Sequence, residues 1–190
     1  MIISFNGVAG SGKSTIAKKL ADKLGWSRYY IGGLRREKAK EKGLTLAEYN
    51  KLGETDSKTD VEVDEYQKEL GKKEDNFVIE GRTSWYFIPH SLKIYLDVEP
   101  KEGAKRVFNE LQKKDSRNED TGLETKKDVL KSHENRKKSD IKRYKKYYNI
   151  DVYNPNNYDL VVDTTNLTIE QAFEKVYTFV KKEINNIDKT

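Results

Sequence analysis

The chain contains no cysteine in its 190 residues, which excludes disulfides, thiolate zinc sites and a thiol nucleophile. Histidine is nearly as scarce. His90 and His133 are the only two, and both look incidental, so imidazole general-base chemistry is not expected. Long apolar runs are missing as well. No stretch approaches the roughly 18 apolar residues of a membrane span, and no basic segment leads into an apolar one at the N-terminus. The expectation is therefore a cytoplasmic chain that does not engage membranes. Hydrophobic residues make up 35% and charged residues 36%, a balance that by itself would permit partial disorder. The apolar residues are clustered, however, in runs such as Met1-Ile2-Ile3-Ser4-Phe5, Phe77-Val78-Ile79 and Leu160-Val161-Val162. These read as buried strands of a single folded domain over residues 1–190.

The net charge is +5, but it is unevenly placed. Residues 101–150 hold 16 basic and 9 acidic residues, a local excess of seven, which leaves the rest of the chain at −2. A positive segment on a near-neutral protein suits a polyphosphate ligand or a nucleic acid, and equally a solvated lysine-rich helix face.

Strand and helix patterns alternate. Ile2 to Asn6 reads as a central strand entering a glycine-rich turn, and Lys13 to Leu24 as a helix with Ile16, Ala17, Leu20 and Ala21 at helical spacing, closed by Gly25. Trp26 to Ile31 reads as a second strand ended by Gly32-Gly33. From residue 34 to 73 the pattern is helical and polar, with a capping-box spacing at Thr45-Leu46-Ala47-Glu48 and a long acidic helix over 56–73. Phe77 to Gly81 and Leu92 to Val98 follow as strands, and Pro100 opens another helix. Residues 113–122 are polar without apolar periodicity and read as a loop. A basic helix to Tyr148, a fifth strand at Asp159 to Asp163 and an amphipathic helix from Thr168 to Ile187 complete the chain. Strands joined by helical crossovers specify a parallel sheet covered on both faces. The expected fold is a three-layer α/β/α domain with a five-stranded parallel sheet and a helical insertion.

The segment Gly7-Val8-Ala9-Gly10-Ser11-Gly12-Lys13-Ser14 matches G-x-x-x-x-G-K-[ST] in full, after a strand and before a helix, which is the context a P-loop requires. Gly7, Gly10, Ser11 and Gly12 let backbone N–H groups curl around phosphates at a helix N-terminus. Lys13 reaches the β and γ phosphates, the Ser14 hydroxyl ligates Mg²⁺, and Thr15 is placed to touch the α phosphate. ATP and Mg²⁺ are the implied cofactors. A P-loop defines a nucleotide site and not a reaction; the small size of the chain favours a kinase over a motor or a switch.

Glu80-Gly81-Arg82 stands at the end of the third strand, where ligands bind in open α/β sheets. Glu80 follows three apolar residues, a Walker B pattern suited to a water of the Mg²⁺ shell, although a strand-end carboxylate capping the next turn would look the same. Arg82 is placed to fork onto the phosphate of an acceptor. Arg36, Arg117, Arg136 and Arg143 are further candidate clamps, because a phosphoryl-transfer transition state spreads charge over its equatorial oxygens. Arg136, Asp140 and Arg143 share one helix face by spacing.

These residues, together with Gly32 to Glu37, Asp60-x-x-x-Asp64-x-x-Gln67, Arg136-x-x-Ser139-Asp140-x-x-Arg143-Tyr144 and Asp159-Leu160-Val161-Val162-Asp163-Thr164, resemble the cytidylate kinase family, and its archaeal-type branch most closely. The resemblance covers nearly the whole chain. It implies transfer of the γ-phosphoryl group of MgATP to CMP or dCMP, with residues 34–73 as the acceptor-binding subdomain and 113–135 as a lid. On the family pattern Arg36 and Arg82 would hold the acceptor phosphate, and Asp64 and Gln67, with Ser84, would meet the nucleoside. Arg117, Arg136 and Arg143 would converge on the transferring group, and Arg106 would pack against adenine. Many relatives carry Gly-Asp where this chain has Gly32-Gly33, which would leave Glu80 alone to order the Mg²⁺ waters. The rival readings are an adenylate kinase-like enzyme or another small-metabolite P-loop kinase, a nucleic-acid-binding ATPase using the 136–146 stretch, and a nucleotide-gated interaction module. The expected partners are small nucleotides, without nucleic acid, and the expected state is a monomer.

Overall fold

The computed structural model describes residues 1–112 and 123–187. Strand β1 (Ile2–Gly7) lies at the centre of a five-stranded sheet. Its neighbours are β3 (Phe77–Glu80) and β4 (Leu92–Asp97), with β2 (Ser27–Tyr30) beyond β3 and β5 (Leu160–Asp163) beyond β4; every pairing is parallel. Side chains alternate across the sheet. Ile3, Phe5 and Val78 face α1 (Lys13–Leu24) and α8 (Ile169–Ile187), whose Ile16, Leu20, Val176 and Val180 complete that half of the core. Ile2, Phe77 and Ile79 face the other way, against Ile31 of α2 (Ile31–Glu41) and Val63 and Leu70 of α4 (Lys58–Lys73). The sheet is thus sandwiched between helical layers, as the βαβ pattern predicts.

Local chemistry sets the element ends. The capping box read at Thr45 forms at the start of α3 (Leu46–Gly53): Thr45 accepts from the Glu48 N–H and Glu48 accepts from the Thr45 N–H. Pro100 occupies the first turn of α6 (Pro100–Leu111). A second capping box, Thr125 with Asp128, opens α7 (Lys126–Tyr148), which packs on α6 through Val107 and Val129. One element was not anticipated, the four-residue α5 (Ser84–Phe87).

The second strand requires a correction. It ends at Tyr30, and Gly32-Gly33 form the first turn of α2 instead of a loop. Packing is the reason: a Cβ on Gly32 or Gly33 would stand 2.9 or 2.8 Å from the Tyr30 ring, so the ring lies directly on a helix turn that has no side chains.

Of the expected lid, residues 113–122, including Arg117, lie outside the described residues, and 126–135 are the first turns of α7.

Candidate active site

The loop between β1 and α1 sits at the C-terminal edge of the sheet. Gly10 takes a positive φ of 78°, and a Cβ there would meet the Gly103 carbonyl oxygen of α6 at 2.2 Å, so the loop approaches that helix as only glycine allows. The loop is tied from behind. Ser11 Oγ donates to Val8 O at 2.9 Å, and the Thr164 hydroxyl, just past β5, lies 3.2 Å from Ser11 O and 2.8 Å from Asp97 O. Arg106 of α6 donates to Gly10 O, to Thr164 Oγ1 and O, and to Thr165 O. Gly10, Ser11, Gly12, Lys13, Ser14 and Thr15 all line one cavity of about 440 Å³, with Arg106 beside Leu167 and Ile169 at one flank. Gly7 lies below the loop and does not line it; its close neighbour is Leu96 of β4.

The same cavity is also lined by Arg36, Asp64, Glu80, Arg82 and Arg136, brought together from α2, α4, the end of β3 with the turn after it, and α7. Arg36 Nη1 donates to Tyr30 OH at 2.6 Å and to Gly32 O. Glu80 is 1% exposed; its Oε1 accepts from both Nε and Nη2 of Arg28, while Oε2 has no partner among the described residues. Arg82 Nη1 reaches back to Gly7 O at 2.5 Å, and its Nε donates to Asp140 Oδ2 at 2.7 Å.

Asp140 begins a buried relay. It accepts from Arg82, from Tyr153 OH at 2.8 Å and from Arg143 Nη2 at 2.5 Å. Arg143 passes to Asp60 Oδ1 at 2.6 Å, and Asp60 in turn accepts from Arg35 Nη1 at 2.7 Å. Three guanidiniums therefore face two carboxylates in this relay, and the buried Asp64 carboxyl lies close enough for the charges of Asp60 and Arg35 to act on it. Burial alone would push the Asp140 carboxyl up, but Arg82, Arg143 and Arg136 outweigh it and hold the group at about 2.

Arg143 does not meet the cavity. It is 0% exposed and takes Asp60 and Asp140, so the expectation that it touches the transferring phosphoryl group gives way to a supporting position beneath the floor. Gln67 and Ser84 depart from expectation in the same way. Both are 0% exposed: Ser84 Oγ donates to Gln67 Oε1 at 2.7 Å, and Gln67 Nε2 donates to Asp64 Oδ1 and Thr83 Oγ1, each at 3.2 Å. They brace Asp64 from behind. Asp64 itself lines the cavity and also accepts from Thr83 Oγ1 and Tyr148 OH. Burial pushes its carboxyl up to about 6, against the Tyr148 hydrogen bond and the charge of Arg35 and with the charge of Asp60.

The sequence assigned no role to Arg35, Asn50 or Thr83, which line the cavity, nor to Arg28 and Tyr153, which hold its residues in place. Arg35 carried a signal: it falls between Ile31 and Ala39 at four-residue intervals on the buried stripe of α2, where a charge needs a reason. His133, set aside as incidental, also lines the cavity, whereas His90 lies beside Met1 and Asp75 at the far edge of the sheet.

The model of the cytidylate kinase-like family matches residues 2–166. The chain belongs to that family. A cytidylate kinase of Pyrococcus furiosus is 35% identical over 189 residues, covering 99% of this chain and 90% of that protein. A cytidylate kinase of Methanocaldococcus jannaschii is 34% identical over 190 residues, all of both chains. Among solved structures, shikimate kinase of Bacteroides thetaiotaomicron superposes with a TM-score of 0.62 at 13% identity, covering 95% of this chain and 98% of that one, a likeness of fold. The chain therefore pairs a P-loop kinase fold with helices α2 to α4, which supply Arg35, Arg36, Asn50, Asp60 and Asp64 to the cavity.

The residues fit a hydrated Mg²⁺. The Ser14 hydroxyl and the unpartnered, buried Oε2 of Glu80 border the same cavity, and no cluster of three His, Cys, Asp or Glu exists among the described residues to hold a metal by protein alone. Such a donor set suits an ion carried mainly by nucleotide phosphates and water. Among the described residues no helix is long and apolar enough to cross a membrane.

Proposed function

We propose that this cytidylate kinase-like enzyme transfers the γ-phosphoryl group of MgATP to CMP or dCMP, giving ADP and CDP or dCDP. The reading rests on one observation: the P-loop and the arginines Arg36, Arg82 and Arg136 line a single cavity. Residues 34–73 bind the acceptor and 113–135 act as the lid.

In this scheme Lys13 and the N-terminus of α1 hold the β and γ phosphates. Bound Mg²⁺ supplies charge neutralisation at those phosphates, with Ser14 as ligand and Glu80 orienting its water. Arg106 covers the adenine beside Leu167 and Ile169. Arg36 and Arg82 clamp the acceptor phosphate and hold it in line. Arg136, joined by Arg117 as the lid closes, offsets charge on the transferring group and excludes water. Arg143 acts through Asp140, which fixes Arg82. No general base is required, because an oxygen of a nucleoside monophosphate is already an anion at neutral pH.

An ADP-coupled assay across CMP, dCMP, UMP, AMP and shikimate tests the proposal. CMP and dCMP are expected to have the highest kcat/KM; fastest turnover with AMP or shikimate would overturn the acceptor, and ATP binding without turnover of any acceptor would overturn the kinase.

A further inference from the structure

We propose that Tyr153 is a positioning residue for the acceptor phosphate: it occupies Asp140 so that Arg82 pairs there through Nε alone, which leaves Nη2 of Arg82 to the phosphate. The inference rests on the kinase reading above, in which Arg82 clamps that phosphate, and assigns the geometry of the clamp to a residue that does not itself line the cavity.

Local contacts place Tyr153 first. After α7 ends at Asn149, whose φ of 57° is left-handed, Asp151 Oδ1 accepts from the Tyr153 N–H at 2.9 Å and closes a turn. Val152 between them is 0% exposed, and its carbonyl accepts from Asn6 Nδ2 at 2.8 Å and from Tyr158 OH at 2.6 Å. Asn6 belongs to β1, one residue before Gly7. The turn is therefore pinned to the strand that carries the P-loop, and the side chain that follows Val152 rests against Arg82.

Two contacts result. The Arg82 guanidinium carbon lies 5.2 Å from the centre of the Tyr153 ring, within cation–π range. The Tyr153 hydroxyl donates to Asp140 Oδ2 at 2.8 Å, the oxygen that also accepts from Arg82 Nε at 2.7 Å. Arg143 Nη2 takes the other oxygen, Oδ1. An arginine ordinarily engages a carboxylate through two N–H groups, and Arg28 does so here, placing both Nε and Nη2 on Glu80 Oε1. Arg82 does not. Its Nη1 turns to Gly7 O, and its hydrogen bonds to the described residues use Nε and Nη1 only. Nη2 is the end of a fixed cation left over for an anion, on a residue that lines the cavity.

Without the hydroxyl, Asp140 Oδ2 would have room for Nε and Nη2 together. Arg82 would then close on its own partner, as Arg28 does, and be lost to the substrate. Tyr153 thus weakens an internal ion pair and thereby keeps one donor for the acceptor.

The test is a double-mutant cycle of Tyr153→Phe and Arg82→Lys, read by KM for CMP, kcat, ATP affinity and melting temperature. Lysine has no fork to close, so the cycle isolates the effect that runs through Arg82. Tyr153→Phe, which keeps the ring, is expected to raise KM for CMP roughly tenfold, the size of one hydrogen bond to a charged group. Its kcat and ATP affinity should stay within about twofold, and in the Arg82→Lys background the same change should raise KM by less than about twofold. Melting temperature should not fall. Calorimetry should show weaker binding of CMP and unchanged binding of cytidine, which lacks the phosphate. A KM within about twofold of wild type, a rise that persists beside Arg82→Lys, or equal weakening of cytidine overturns the assignment of Tyr153. So does an Arg82→Lys enzyme whose KM for CMP equals that of wild type. Each of these leaves the kinase reading intact, which fails only if wild type phosphorylates no monophosphate.

Discussion

Arg35 and Arg143 share one carboxylate oxygen. Asp60 Oδ1 accepts from Arg35 Nη1 at 2.7 Å and from Arg143 Nη1 at 2.6 Å, and all three side chains are at least nine-tenths buried. The first cation belongs to α2 and the second to α7, so a single oxygen on α4 joins three helices beside the cavity.

Replacing that carboxylate by an amide leaves Arg35 without its paired carboxylate and Arg143 with Asp140 alone. Asp60→Asn is expected to lose about 3 kcal/mol of stability, in the range measured for broken buried ion pairs. This corresponds to a drop of roughly 10 °C in Tm. Calorimetry of the two proteins checks it.

Asp64 should show the opposite behaviour. Its carboxyl is raised to about 6, so the folded state holds the proton more tightly than the unfolded one. Stability of the ligand-free enzyme therefore falls as pH rises from about 4 to about 6, and the full cost is present above that. Asp64→Asn removes the cost. It is expected to melt about 5 °C higher than wild type near pH 8, with the gain gone near pH 4, while turnover of CMP falls. A variant less stable than wild type at both pH values would contradict the assignment.

Lys13→Met should retain the fold and lose turnover by about a thousandfold or more, since the side chain faces charge that grows at the γ phosphate. Steady-state kinetics against the wild-type melting curve separate the two effects. Residual activity above a tenth of wild type would remove Lys13 from the chemistry.

Glu80→Gln tests the metal assignment. The concentration of Mg²⁺ for half-maximal activity is expected to rise about tenfold or more, as for other groups that act on a metal through water. Binding of ATP in EDTA, followed by fluorescence, should be unchanged. Arg28→Gln is expected to reproduce the shift in part, because Arg28 takes Oε1 and so leaves Oε2 to the cavity.

Features whose causes are local were legible in the chain. The P-loop, the Thr45 capping box and the Pro100 helix start each depend on residues within a few positions, and each appears where it was expected. Features set by distant packing were not. The start of α2 depends on where the Tyr30 ring settles, and a pair of glycines reads as a loop until that is known. Arg36 and Arg35 are neighbours in sequence and equal in charge, and both line the cavity; only partners from α3 and α4, which no local pattern reveals, hold Arg35 there. Gln67 and Ser84 were expected to meet the nucleoside, but their mutual hydrogen bond, which turns them inward to brace Asp64, depends on α4 lying over the turn that follows β3.

The Thr164 hydroxyl approaches the Ser11 carbonyl across 153 residues of chain, and the first turn of α8 borders the same cavity. During synthesis the phosphate loop is translated 153 residues ahead of its latch. A nascent chain that has exposed the complete P-loop sequence is thus still without the back wall that shapes it, and competence to hold ATP arrives only once β5 and the helix after it have docked.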